Sequence, residues 1–259
     1  MNFLTAQWKN LIMANYTINP DVLQQYLPAG TELDSWNNKH YISLIGFQFR
    51  NTRVLGIRVP YHVHFDEINL RFYVKRFENG QWKRGVVFIK EIVPKKAITL
   101  IANSLYKEHY STAPIKHTNK LDAEIRTVSY EWQNKSKWNT IAVNAYDFRS
   151  EIDPDTEIDF ITEHYFGYTR YTKEVTFEYE VTHPRWHYYP VKNYRINVDF
   201  ESNYGTAFKA LTNQQPESVF FVEGSDITVK NKKKLNHELQ HSRLPVLSGD
   251  HDLHHRQDW

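Results

Sequence analysis

The chain has 259 residues, of which 41% are hydrophobic and 15% aromatic, and a formal net charge of +2. That length is enough for one sizeable domain, and so small a charge excludes the strong field that draws nucleic acid or an anionic membrane. It has no cysteine, which excludes disulfides, thiolate nucleophiles and cysteine-based zinc or iron–sulfur sites, and no stretch approaches the ~20 apolar residues that cross a bilayer.

In chain order, Asn19 is placed to cap a short helix over 20–27, with Pro20 in its first turn and Pro28 and Gly30 to stop it. The near-continuous apolar run 41–49 predicts a strand covered on both faces. The next strand, 66–75, alternates. Ile68, Leu70, Phe72 and Val74 fall on one side, and Glu67, Asn69, Arg71 and Tyr73 on the other. Asn79 and Gly80 supply the left-handed positions of a hairpin turn, with 85–90 as the returning strand. After Pro94 the period becomes helical, with Ala97, Ile98, Ile101, Ala102, Leu105 and Tyr106 on one face. Strands are expected at 123–132, 140–149, 168–181, 196–200 and 218–228. Residues 158–166 read as a short helix starting near Asp155 or Thr156, and 204–211 as a helical turn or short helix. No linker interrupts 1–229, which reads as a single domain. Residues 230–259 are basic and His-rich with little to bury, and read as a flexible tail. The start of the chain has no basic stretch followed by an apolar run, so the expected location is the cytoplasm.

Three groups of residues carry chemistry by their own spacing. Glu67, Asn69 and Arg71, with Tyr73, form a polar row fit to line a wet cavity, where the planar fork of Arg71 suits a carboxylate or phosphate. The alternative is that Glu67 and Arg71, four apart on one strand face, satisfy each other. His62, His64 and Asp66 share a strand face and are candidate metal ligands, although polar histidines at a strand end are unremarkable. In the tail, His237-Glu-Leu-Gln-His241 matches the spacing of a zinc-protease helix. Pro245 and the charged flanks make adventitious metal binding the better reading of His237 and His241, and no cofactor is expected. Neither a Gly-rich phosphate loop nor a Gly-x-Ser-x-Gly elbow is present.

Residues 27–34, 65–74, 85–88, 161–165 and 183–186 together resemble the YqjF-like family of uncharacterised bacterial proteins, placed in the acetoacetate decarboxylase-like superfamily. The resemblance runs from about Phe3 to Val229. His164 stands where that family usually has Arg. The resemblance implies an α+β, mainly antiparallel fold: a curved sheet forming a cone or barrel around a central cavity, with a few peripheral helices. It brings no established reaction. Glu91-Ile-Val-Pro-Lys-Lys-Ala97 is similar to the acetoacetate decarboxylase signature, in which the first lysine of the pair forms a Schiff base with a keto acid. By that similarity Lys95 is the candidate nucleophile and Lys96 the charged neighbour that lowers its pKa, as in acetoacetate decarboxylase. Glu67 would then transfer a proton and Arg71 dock the carboxylate. Against this, Pro94 places both lysines in a first helical turn, where solvation is the simpler fate.

The sequence therefore points first to a small-molecule-binding protein with an enclosed polar pocket for an anionic organic acid. The rivals are a Schiff-base lyase acting on a β-keto acid through Lys95, and a non-catalytic protein that forms homo-oligomers through an aromatic surface.

Overall fold

The structure, a computed structural model, describes residues 2–106 and 109–237. The chain opens with β1 (Asn2–Thr17), α1 (Pro20–Gln24), β2 (Glu32–Leu33), β3 (Tyr41–Val54), β4 (Phe65–Glu78) and β5 (Gln81–Val93). It continues through α2 (Lys96–Tyr106), β6 (Tyr110–Thr112), β7 (Ile115–Asp122), β8 (Ile125–Asn134) and β9 (Lys137–Tyr146). Next come β10 (Ser150–Glu151), α3 (Glu157–Thr162), β11 (Phe166–Arg170), β12 (Val175–Thr182), β13 (His187–Tyr189) and β14 (Val191–Asn197). After α4 (Phe200–Tyr204) and a 3₁₀ helix (Thr206–Thr212), the described chain closes with β15 (Ser218–Val222), β16 (Asp226–Lys230) and β17 (Lys233–Asn236).

Seven strands close into a barrel, in the cyclic order β1, β3, β4, β5, β11, β12, β16 and back to β1. Every neighbouring pair is antiparallel except β5 with β11. This is the mainly antiparallel, curved architecture expected. β-Bulges assist closure by sharpening the twist of the strands that carry them. Along the β1–β3 pair the register slips twice, once around Asn51 in β3 and once around Asn10 in β1. Both asparagines adopt positive φ, 54° and 56°, a conformation asparagine tolerates better than most residues.

A second, four-stranded sheet (β14–β9–β8–β7) packs on the outside of the barrel. The alternation of β4 is what holds both layers. Ile68, Leu70, Phe72 and Val74 pack with Val128, Tyr130, Trp132 and Ile141 of the outer sheet. The other face of β4 looks into the barrel, beside Ile45, Phe47, Val86 and Ile227. Gly46 permits the close approach of the layers, because a Cβ there would lie 2.7 Å from the Tyr130 ring. The Tyr130 hydroxyl donates to the Asn10 carbonyl (2.8 Å), tying the outer sheet to a bulge of the barrel.

Other expectations meet local corrections. The β4–β5 turn is left-handed at Asn79 and Gly80, as predicted. Residues 168–181 are not one strand but the hairpin β11–β12. The Thr172 hydroxyl accepts from the Glu174 N–H (3.2 Å) and helps close a turn with no Gly, Pro or Asn signal. Residues 196–200 do not stay extended, because Asp199 caps α4 by accepting from the Ser202 N–H (3.0 Å). The apolar face expected on α2 rests on Ile101, Ala102, Leu105 and Tyr106, whose side chains lie outside the described residues. In the segment read as a tail, β17 pairs with β12, and the His237 N–H donates to the Glu174 carbonyl (2.7 Å). Residues 238–259, including His241, lie outside the described residues.

Candidate functional site

Strand β4 contributes three polar side chains to a cavity of about 220 Å³ inside the barrel: Glu67, Asn69 and Arg71. All three are buried, Arg71 being 9% exposed. They line it because the opposite face of β4 is committed to the outer sheet, which leaves odd-numbered positions only the interior. Glu91 from β5, Tyr110 from β6 and His164 from the segment after α3 join them.

The Glu67 carboxylate is well supplied with donors. The Asn69 amide N–H donates to Glu67 Oε1 (3.1 Å) and the Tyr110 hydroxyl to Glu67 Oε2 (3.2 Å). Burial, together with Glu67 and Glu91 nearby, pushes the Tyr110 hydroxyl well above its ordinary pKa, so it remains a donor. Arg71 is placed differently. It makes one long hydrogen bond, from Nη2 to the Ile161 carbonyl (3.4 Å), and its guanidinium lies 5.7 Å from the centre of the Tyr73 ring. Its Nε–H has no partner among the described residues, and neither does the Asn69 carbonyl oxygen. No described carboxylate ion-pairs with Arg71, so the Glu67–Arg71 pair, the alternative reading of these residues, does not form although both groups face one cavity.

His164 is the third such group. Its Nε2 lies 3.3 Å from Asp34 Oδ2, and the same oxygen accepts from Arg84 Nε (2.8 Å). Burial alone would raise the Asp34 carboxyl, but the hydrogen bonds from His164 and Arg84 outweigh it and bring it down to about 2. Burial holds the His164 imidazole down to about 4, against the pull of Asp34. The charged pair is therefore Asp34 with Arg84, while His164 is neutral at pH 7. An ionised Asp34 only accepts, so Nε2 carries the imidazole proton and Nδ1 presents a lone pair. That Nδ1 has no partner among the described residues. His183 also borders the cavity, stacked on Trp186 with ring centres 4.1 Å apart, and burial lowers its pKa.

Of the other sequence candidates, His62 lines the cavity and the remaining described ones do not. Tyr73 does not line the cavity. Its hydroxyl donates to Ser43 Oγ (2.7 Å), which passes its own proton to Asn15 Oδ1 (2.6 Å). Lys95 is half-buried just before α2, its carbonyl accepting from the Ile98 and Thr99 N–H groups, and Lys96 is exposed. Neither lysine lines the cavity, whereas their neighbours Ala97 and Ile98 do. His62, His64 and Asp66 do not converge. His62 Nδ1 bonds to the Pro60 carbonyl (2.8 Å), His64 Nδ1 accepts from the Asn51 N–H (3.3 Å), and Asp66 pairs with His117 (2.7 Å). Among the described residues no group of three or more His, Asp or Glu could hold a metal ion.

Asp34, Glu91, Tyr110 and His183 were given no site role by sequence reasoning, and neither was His164. The signal for most of them was present, since residues 27–34, 161–165 and 183–186 carry the family resemblance and Glu91 opens the decarboxylase-like motif.

The sequence profile of the DUF2071 family, described as an uncharacterized conserved protein, matches residues 5–226. The uncharacterized protein YqjF of Bacillus subtilis (strain 168) is 26% identical over 180 residues, covering 69% of this chain and 72% of the relative. Among solved structures, the enduracididine biosynthesis enzyme MppR complexed with pyruvate superposes with a TM-score of 0.63 at 11% identity, covering 90% of this chain and 91% of that one. The acetoacetate decarboxylase of Legionella pneumophila superposes with a TM-score of 0.60 at 12% identity, covering 90% and 87%. These likenesses establish an acetoacetate decarboxylase-like fold.

Proposed function

The chain belongs to the DUF2071 family of uncharacterized conserved proteins, a membership that carries no reaction, and from its cavity we propose that it binds a small anionic organic acid. The observation that carries this reading is Arg71, a buried guanidinium with no carboxylate partner among the described residues and an idle Nε–H. Arginine cannot shed its charge, and a buried charge without a partner costs several kcal/mol. A ligand carboxylate recovers that cost through charge-assisted hydrogen bonds. Asn69 Oδ1 and His164 Nδ1, both acceptors, suit a donor such as a hydroxyl on the same ligand. The pyruvate held by the similarly folded MppR is an acid of this class.

Schiff-base chemistry would require an amine at the cavity, and among the described residues no lysine lines it. Trapping with acetoacetate and borohydride should therefore add no mass to Lys95 or Lys96.

A thermal-shift screen of monocarboxylic acids against their amides tests the proposal. Ligands that prefer the folded state raise the melting temperature. Acids should do so and the uncharged amides should not. Equal shifts from both would remove the anion from the account.

A further inference from the structure

The cavity is polar at one end and largely apolar at the other, and the strand register fixes which is which. Arg71 pairs with Ser43, Asn69 with Ile45, Glu67 with Phe47 and Phe65 with Phe49. Beyond them, Leu4 pairs with both Val54 and Val229. Arg71 and Phe65 are thus separated by roughly 20 Å of strand, at about 3.3 Å per residue.

Near Arg71 stand Asn69 and His164. Near Phe65 the lining is mostly apolar, Phe49, Leu4, Val54 and Val229 with Val59 from the β3–β4 loop, and Thr52 and His62 are its polar members. Phe49 and Phe65 stack with ring centres 4.6 Å apart, and Trp8 closes on Phe47 at 5.4 Å. The loop also shows Leu55 (54%) and Ile57 (67%) to solvent, beside exposed Arg58 and His64.

From this segregation we infer that the ligand is an amphiphile: a carboxylate head at Arg71 carrying an unreactive alkyl body that runs toward the β3–β4 loop. The inference rests on the anion reading above and adds the apolar half of the ligand. The volume sets the length. A cavity of ~150 Å³ accommodates benzene, about 25 Å³ per heavy atom. At that packing, about 220 Å³ takes roughly nine heavy atoms, a carboxylate with some six further carbons, which reaches less than half-way from Arg71 to Phe65 and lies beside Ile45 and Phe47.

Titration calorimetry of the full chain with acetate, butanoate, hexanoate and hexan-1-ol tests the inference. Each buried methylene contributes about 0.8 kcal/mol, and a tenfold change in Kd corresponds to about 1.4 kcal/mol. Kd should therefore tighten about fifteenfold from butanoate to hexanoate. Hexan-1-ol should bind at least tenfold more weakly than hexanoate. Butanoate and hexanoate within threefold of each other would overturn the alkyl body and leave the anion reading standing. Hexan-1-ol equal to hexanoate would overturn the acid head while the dependence on chain length remained. No binding by any of the four overturns the inference.

Discussion

Arg71 and His164 are both buried, with different consequences. A guanidinium is a fixed charge, so another group must meet it. The imidazole gives its proton up, and burial holds His164 down to about 4. This couples stability to pH. The unfolded chain binds a proton at this histidine near pH 6.5, whereas the fold refuses it until about pH 4, so U carries more protons in between. The His164 contribution is complete above pH 6.5 and is lost as pH falls toward 4, on the order of 3 kcal/mol. Urea unfolding at pH 7 and pH 4.5 should show a larger loss in the wild type than in His164→Gln. Equal losses would mean that the imidazole is not held neutral. At this scale the sequence revealed Glu67, Asn69 and Arg71, because a period of two places them on one face. It misplaced Tyr73, which shares that face but spends its hydroxyl on Ser43. Asp34, Glu91, Tyr110 and His164 come from separate stretches of chain, and their convergence depends on barrel closure rather than on spacing.

Among the elements, β1 shows most clearly why a strand can escape a period-two reading. Leu4, Ala6 and Trp8 belong to the barrel interior, and so do Leu11 and Met13. The inward parity changes from even to odd across the bulge at Asn10, so no single alternation runs through the strand. β4 has no positive-φ residue before its turn, and its pattern was legible from end to end. The contact between the layers is the element-level feature most open to test. Tyr130 is buried and held by its hydroxyl bond to Asn10, so it has little freedom to yield to a Cβ at residue 46. Gly46→Ala should cost about 1–3 kcal/mol, the usual range for overpacking, measured by chemical denaturation. An unchanged midpoint would show that the two layers adjust freely.

On the scale of the whole molecule, the barrel encloses the cavity while the outer sheet covers the apolar side of the strand that supplies the polar groups. The resemblance made the curved, antiparallel architecture legible. It did not show where the edge of the barrel is finished, because Lys233–Asn236 is too polar and short to read as a strand, yet it pairs with β12. Truncation after Val229 should therefore lower the melting temperature by about 5 °C relative to truncation after His237, taking ~2 kcal/mol for the lost pairing at 2–4 °C per kcal/mol. Identical melting temperatures would show that β17 adds nothing to the fold. The central claim is that an anion answers the buried charge of Arg71, and calorimetric titration of hexanoate into wild type and Arg71→Gln tests it most directly. Losing a hydrogen-bonded charge pair of about 1.5–3 kcal/mol predicts a Kd roughly ten- to a hundredfold weaker in the variant, whereas a Kd unchanged within twofold would contradict the account.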